Sequence, residues 1–407
     1  MIPPDTAKLK RVRQLMAEAR IDVLVCRLPE NVLFLSGYYP VVGHSAVVFP
    51  LEGEPILIAL ADDREFFGEY AWITDVRQIT GWDEVRGSPP EQIARHLRDI
   101  GATAAFPKRR VGFEGSFEYV APQALAAEPV VPGLPARQAL EAAFPDSELV
   151  DATELINRAR AVKTSRDLEL LRRANEVAAF GYQAWREACL NGATEAEAAA
   201  AFQAAVTSKG IGYKAAYFAM AWPQVISGER TGGWPWPFPG GKSTPLSYWP
   251  YRLTSRKRVE PGDLVLCEAA VCVDGYWTDL TRTFVVGTPS ERQQEVFAAE
   301  ERALRAAIAA ARPGAKGSEV DWAARKALGD FARYSPHWVG HGLGLKYHEP
   351  YPRLNPLSED ILEPGMCFAV EPGIYIPGFG GVRNEQVLFV TEHGVEVLSG
   401  SIPVAIG

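Results

Sequence analysis

The stretch Leu264-Val265-Leu266-Cys267-Glu268-Ala269-Ala270-Val271-Cys272-Val273-Asp274-Gly275-Tyr276-Trp277-Thr278-Asp279 places Glu268 and Asp279 in an apolar run broken by Asp274-Gly275. Asp-Gly between apolar runs is a strong hairpin signal, because both central residues of the tight turn need positive φ. Such a turn pairs Val273 with Tyr276 and sets Asp279 opposite Ala270. Side chains alternate along a strand, so Glu268 shares the face of Asp279 as a diagonal neighbour about 7–8 Å away. Two ionised carboxylates are costly to bury without a partner. Either the face binds a cation, or one carboxylate pairs with Arg282 and the other sits at a solvated edge. The cation-binding face is the stronger reading.

Three of the six histidines lie in one window, His337-Trp338-Val339-Gly340-His341-Gly342-Leu343-Gly344-Leu345-Lys346-Tyr347-His348-Glu349. Its glycines argue against a long helix and let the backbone approach a ligand closely. One imidazole there can serve as a metal ligand and a neighbour as a proton shuttle. His44, His96 and His393 stand alone and carry no such expectation. Two more carboxylates follow: Glu371, ending the apolar run Met366–Val370 before Pro372-Gly373, and Glu385, entering the run Gln386–Val390. The four carboxylates Glu268, Asp279, Glu371 and Glu385, with one imidazole of this window, suit a pair of divalent cations. Oxygen-rich, thiolate-free donors favour Mn²⁺, with Co²⁺, Zn²⁺ or Fe²⁺ as alternatives. Such a pair activates water and polarises a carbonyl.

Outward from this region, Ala161-Val162-Lys163-Thr164-Ser165 leads into an amphipathic helix that Asn191-Gly192 stops. Thr194-Glu195-Ala196-Glu197 opens a second helix with a capping-box pattern. The arrangement recurs: Ser290-Glu291-Arg292-Gln293 opens a helix ended by Pro313-Gly314, and Ser318-Glu319-Val320-Asp321 opens the next. Two helix pairs, each followed by strand-rich sequence, read as an internal pseudo-repeat whose half-sheets face each other across a crevice. Before residue 150–160, helices (7–20, 91–100) alternate with strands (Ile21–Cys26, Ala46–Phe49, Pro55–Ala59, Arg110–Phe113). That alternation indicates an α/β N-terminal domain, and it holds no dense titratable cluster.

The chain has 407 residues, room for two or three domains at roughly 150 residues each. Its 42 basic and 50 acidic residues give a net charge of −8, which disfavours nucleic acid and anionic membrane as partners. No apolar run is long enough for a membrane span. The N-terminus shows no secretory pattern, so a cytoplasmic location is expected. Five scattered cysteines lack a Cys-x-x-Cys pair and read as reduced, buried thiols.

At the five candidate ligands the sequence resembles the pita-bread metallopeptidases, the group of aminopeptidase P, prolidase, methionine aminopeptidase and creatinase. The likeness covers most of the chain, including Pro29-Glu30-Asn31-Val32 through Ser36-Gly37-Tyr38. It implies an α/β (α+β) fold, with a creatinase-type N-terminal domain over 1–158 and a pseudo-symmetric pita-bread catalytic domain over 159–407. The family's ligand order Asp, Asp, His, Glu, Glu maps its last four members onto Asp279, His341, Glu371 and Glu385. His348 matches the histidine that binds substrate and shuttles protons, His337 one lining the substrate site, and Arg383 the arginine beside the final glutamate. The resemblance also implies a general-base role for Glu371. Two positions depart from the pattern: Glu268 stands where the first ligand is aspartate, and Tyr251 where a further histidine lies.

The resemblance implies a metal-dependent hydrolase of Xaa–Pro bonds at the N-terminus of peptides or dipeptides, working as a homodimer. Glu268 and Tyr251 favour a second reading, a creatinase- or ectoine-hydrolase-like enzyme cutting C–N bonds in a small molecule. A third is a non-catalytic pita-bread binding protein. The run Gly232-Gly233-Trp234-Pro235-Trp236-Pro237-Phe238-Pro239-Gly240-Gly241 is either a rigid surface loop or a wall over the crevice.

Overall fold

The computed structural model describes residues 3–40, 44–60, 71–80, 87–103, 110–116, 134–232 and 253–406. Tyr251 and the 233–241 part of the Trp/Pro-rich run lie outside them. The chain forms two compact units, Met1–Arg160 and Ala161–Gly407. No helix among the described residues is long and apolar enough to cross a membrane.

In the first unit six strands form one sheet: β1 (Val23–Cys26), β2 (Ala46–Pro50), β3 (Ile56–Leu60), β4 (Asp75–Ile79), β5 (Arg110–Phe113) and β6 (Glu148–Asp151), in the order β4-β3-β2-β1-β5-β6. Helices α1 (Thr6–Ala19), α2 (Pro29–Ser36), α3 (Pro89–Gly101), α4 (Leu134–Ala143) and α5 (Thr153–Ala161) accompany it. Buried Val23, Val25, Val48, Ile58, Val111 and Ile93 build the core on one face. The sequence expectation of no titratable cluster here misses Glu114. This buried carboxylate accepts from the Arg27 and Leu28 backbone N–H groups (2.8 and 3.0 Å) and from Asn31 Nδ2 (2.9 Å). It thereby caps α2, whose preceding Leu28 offers no side-chain oxygen. Burial pushes its pKa up to about 7.

The second unit opens with α6 (Ser165–Leu190), whose capping box joins Thr164 to Asp167. Asp167 also accepts from the Tyr276 hydroxyl at 2.6 Å, tying the helix start to the hairpin. Helix α7 (Glu195–Gly210) follows with the Thr194/Glu197 box, and α8 (Glu291–Ala310) with the Ser290/Gln293 box. Helix α9 (Gly317–Leu328) starts earlier than the Ser318 pattern suggests. Its N-cap is Lys316, which makes no side-chain cap, and the Gly317 N–H is instead taken by the Asp360 carbonyl at 2.8 Å. Backbone bridging replaces the expected serine cap.

Strands β7 (Ala219–Ser227), β8 (Leu264–Val273) and β9 (Tyr276–Val285) form an antiparallel sheet in sequence order. The hairpin register is the expected one, with Val273 opposite Tyr276 and Ala270 opposite Asp279. Asp274 and Gly275 both take positive φ, 50° and 85°. A second sheet orders β11 (Glu349–Leu354), β10 (Gly340–Gly342), β12 (Cys367–Val370), β15 (Gln386–Val390) and β16 (Val395–Val397). Strands β13 (Gly373–Ile376) and β14 (Gly380–Arg383) make a third, two-stranded sheet. Phe368, Val370, Val382, Leu388 and Val390 turn into the core beneath α8 and α9. Strand alternation then sends Ala369, Arg383 and Val387 to the opposite face.

The turn ahead of β11 is anchored by a buried ion pair between Lys163 Nζ and Glu349 Oε2, 2.8 Å apart. The other oxygen, Glu349 Oε1, accepts from the Leu345 N–H at 3.0 Å. Removing one partner of a buried pair leaves an uncompensated charge, so Glu349→Gln should lower unfolding free energy by about 3–5 kcal/mol. Urea denaturation of both proteins measures this; coincident midpoints would contradict it.

Candidate metal centre

Four segments converge on the inward face of the β8–β9 hairpin. Glu268 and Asp279 sit on that face as expected, both buried. His341 lies on β10 opposite Ala369, on the face turned away from the α8–α9 core. It is therefore strand-borne, not on a glycine-rich loop, and a bulge follows between His341 and Gly342. The neighbouring glycines serve sheet packing rather than ligand approach. A Cβ at Gly340 would stand 1.9 Å from the Ala369 carbonyl oxygen, and one at Gly342 would stand 1.8 Å from that of Tyr351. Glu371 follows β12, held by its N–H on the Val339 carbonyl (2.8 Å), and Glu385 follows β14, its N–H on the Thr281 carbonyl (3.1 Å).

The donor atoms of Asp279, His341 and His348 all lie within 4.8 Å of one another. His341 Nε2 is 3.6 Å from Asp279 Oδ2 and 3.5 Å from Glu371 Oε1, and His348 Nε2 is 3.4 Å from Asp279 Oδ2. His348 Nε2 thus faces the same Asp279 oxygen as His341 Nε2. His341 Nδ1 lies 3.0 Å from the Gly342 carbonyl, which orients the ring and leaves Nε2 for a ligand. Glu385 Oε2 accepts from the Thr281 hydroxyl at 3.0 Å. Asp279 Oδ1, His341 Nε2, His348 Nδ1 and Glu385 Oε1 are buried with no hydrogen-bond partner. Buried polar atoms are seldom left so, and their recurrence on residues of one cluster marks a site built for a further group. Carboxylate oxygens and imidazole nitrogens are the donors a divalent cation takes.

The electrostatics agree. Burial raises the Asp279 and Glu385 pKa values to about 8, and burial with the adjacent carboxylates raises Glu371 well above its usual range. Burial pushes His348 down to about 3, and burial with the neighbouring His348 ring holds His341 well below its usual value. The imidazoles are neutral near pH 7, so their approaches to carboxylates are not ion pairs, and their nitrogens keep lone pairs that a Lewis acid can take.

Glu268 behaves differently. Its Oε2 accepts from Arg383 Nη2. Arg383 also donates from Nε to Thr281 Oγ1 (2.8 Å) and from Nη1 to the Tyr375 hydroxyl (3.1 Å), and lies 3.7 Å from Glu371 Oε2. Tyr375 in turn meets His337 Nε2 at 3.2 Å, while His337 Nδ1 faces the Trp338 carbonyl at 2.6 Å. Arg282, the other candidate partner for a hairpin carboxylate, is spent on backbone carbonyls of Thr281, Glu385 and Ile402. An arginine does pair with one of the two acids, but it comes from β14.

Sequence reading missed several supporting residues. Thr281 and Thr283 lie two and four positions past Asp279 on its strand face, so period-two alternation could have found them. Thr283 Oγ1 donates to the Arg383 carbonyl at 2.7 Å. Glu300 sits in the apolar stripe Val296, Ala303, Ala307 of α8, a buried acid in a core helix face. It accepts from Asn384 N and Nδ2 at 3.0 and 2.8 Å and so fixes the residue between Arg383 and Glu385. Burial raises its pKa to about 8.

A profile described as "Metallopeptidase family M24" matches residues 169–392, and one described as "Creatinase/Prolidase N-terminal domain" matches residues 8–162. The chain belongs to metallopeptidase family M24. An Xaa-Pro dipeptidase from Lactobacillus delbrueckii subsp. lactis is 36% identical over 63% of this chain and 65% of its own length. The chain thus matches just under two thirds of that relative. A putative dipeptidase, YkvY, from Bacillus subtilis (strain 168) is 29% identical over 96% of this chain and 97% of its own. Among solved structures, the prolidase from Pyrococcus horikoshii OT3 superposes with a TM-score of 0.74 at 25% identity, covering 98% of this chain and 99% of that one. The creatinase-type and pita-bread architecture expected from the sequence is what the chain has, and family membership carries divalent-metal use with it.

The raised carboxyl pKa values make the metal-free protein pH-sensitive. A folded-state pKa near 8, against about 4 unfolded, means the folded chain binds the extra proton, so stability falls as pH rises towards 8. Below about pH 6.5 the buried neutral imidazoles act the other way, because the unfolded chain then binds their protons. Between pH 7 and 8.5 the raised carboxyls, Glu300 included, and the buried cysteine thiols, whose pKa values are raised, all lower stability as pH climbs. Thermal melts in chelator should show a falling Tm across this window, with a Mn²⁺-induced rise that grows with pH. A chelated Tm that climbs, or no Mn²⁺ effect, would contradict the assignment.

Proposed function

We propose that this chain is a divalent-metal-dependent peptidase that cleaves Xaa–Pro bonds at the N-terminus of peptides or dipeptides. The observation that carries the reading is the buried, unpartnered donor set of Asp279, His341 and Glu385, with Glu371 alongside. Oxygen-rich donors favour Mn²⁺. The bound ion supplies a Lewis acid that lowers the pKa of water and polarises the scissile carbonyl. Glu371 takes the proton of the attacking water and passes it towards the leaving nitrogen. Neutral His348 donates a hydrogen bond to the charge developing on the carbonyl oxygen. The Arg383–Tyr375–His337 chain positions the far side of the substrate site. Proline selectivity is supported by the Xaa-Pro dipeptidases among the relatives. A cytoplasmic homodimer belongs to the same proposal, supported by the family resemblance and by five free, buried cysteines.

One observation favours the small-molecule C–N hydrolase as a second reading: Glu268 engages Arg383 where the peptidase pattern has an aspartate ligand. Retention of Asp279, His341, Glu371 and Glu385 in one cluster favours the peptidase. Turnover of Xaa–Pro dipeptides, creatine and ectoine by chelator-treated and Mn²⁺-reloaded protein separates them. Mn²⁺-dependent hydrolysis of the dipeptides is expected, with Glu371→Gln lowering kcat by ~10²–10⁴-fold. Undiminished turnover of a small substrate by metal-free protein would overturn the proposal.

A further inference from the structure

We propose that Glu268 is the fixed counter-ion of Arg383 and not a metal ligand, so that this chain binds a single divalent ion, at Asp279, His341, Glu371 and Glu385. The inference rests on the metal reading above and narrows it, since the five candidate residues read from the sequence suit two ions.

Arg383 is among the largest fully buried side chains of the molecule, and a guanidinium there requires an acid beside it. Three of its nitrogens are committed, Nη2 to Glu268, Nε to Thr281 and Nη1 to Tyr375, which fixes the plane of the group. Glu268 is one methylene longer than aspartate, and from β8 that added reach delivers its carboxylate to the guanidinium on β14. A second dication on Glu268 would share this carboxylate with a buried positive charge and meet its repulsion.

The unpartnered atoms point the same way. Asp279 Oδ1, His341 Nε2 and Glu385 Oε1, on three of the four proposed ligands, are buried without a hydrogen-bond partner, whereas Glu268 Oε2 is engaged by Arg383. Thr281 links the two halves: it accepts from Arg383 Nε and donates to Glu385 Oε2, so the ion pair holds Glu385 with Oε1 alone unengaged. Glu268 thus acts on the ion only through Arg383 and Thr281.

The test is a Mn²⁺ titration of the chelator-stripped full chain, followed by calorimetry and by low-temperature electron paramagnetic resonance. The native protein is expected to bind one equivalent per chain and to show the six-line spectrum of isolated Mn²⁺. Glu268→Asp, which withdraws the carboxylate by one methylene, is expected to bind two equivalents with an exchange-coupled spectrum. Two coupled ions in the native chain would overturn this inference and leave the metal reading standing. No bound ion would overturn both. A folded Glu268→Asp protein that still takes one ion would show that the length of Glu268 does not set the count. Should that variant not fold, the native count and spectrum decide by themselves.

Discussion

Three carboxylates, Asp279, Glu371 and Glu385, crowd one buried spot that contains too little positive charge to ionise them together. The rest of the second unit can be understood as the scaffold this crowding demands. Arg383, the nearest cation, is already paired with Glu268 and stands 3.7 Å from Glu371. The two close imidazoles are kept neutral by burial and contribute lone pairs instead of charge. What remains is a cluster of carboxyl groups with unpartnered oxygens that burial keeps from ionising together, and a divalent cation is the species that resolves it.

Strand geometry does the positioning. The β8–β9 hairpin supplies Asp279 and Thr281 from one face, while the strands carrying His341, Glu371 and Glu385 bury their alternate residues against α8 and α9. Core packing on one face therefore sets the ligands on the other. Buried polar contacts behind the site hold it in register: Glu300 on Asn384, Thr283 on Arg383, and the Lys163–Glu349 pair on the turn that carries His348. Such supporting hydrogen bonds orient metal ligands and tune their basicity.

Much of this was legible in the sequence, for identifiable reasons. Asp274-Gly275 is a local turn signal, so the hairpin register and the shared face of Glu268 and Asp279 followed from alternation alone. The helix-opening patterns at Thr194 and Ser290 are local too, and each begins its helix as expected, while the Thr164/Asp167 box emerged only in the structure. The start of α9 was misjudged because its cap comes from the distant Asp360 backbone, which no local pattern reveals. The fate of Glu268 was hidden for the same reason: Arg383 is its partner across 115 positions, whereas the nearby Arg282 was the visible candidate. The glycines flanking His341 were read as room for a ligand, yet their neighbours are the carbonyls of adjoining strands.

The most direct measurement is anomalous diffraction at the manganese edge from crystals of the Mn²⁺-loaded chain. The account predicts one peak, bonded to Asp279, His341, Glu371 and Glu385, with Glu268 still on Arg383. An absent peak, or manganese bonded to Glu268, would contradict it.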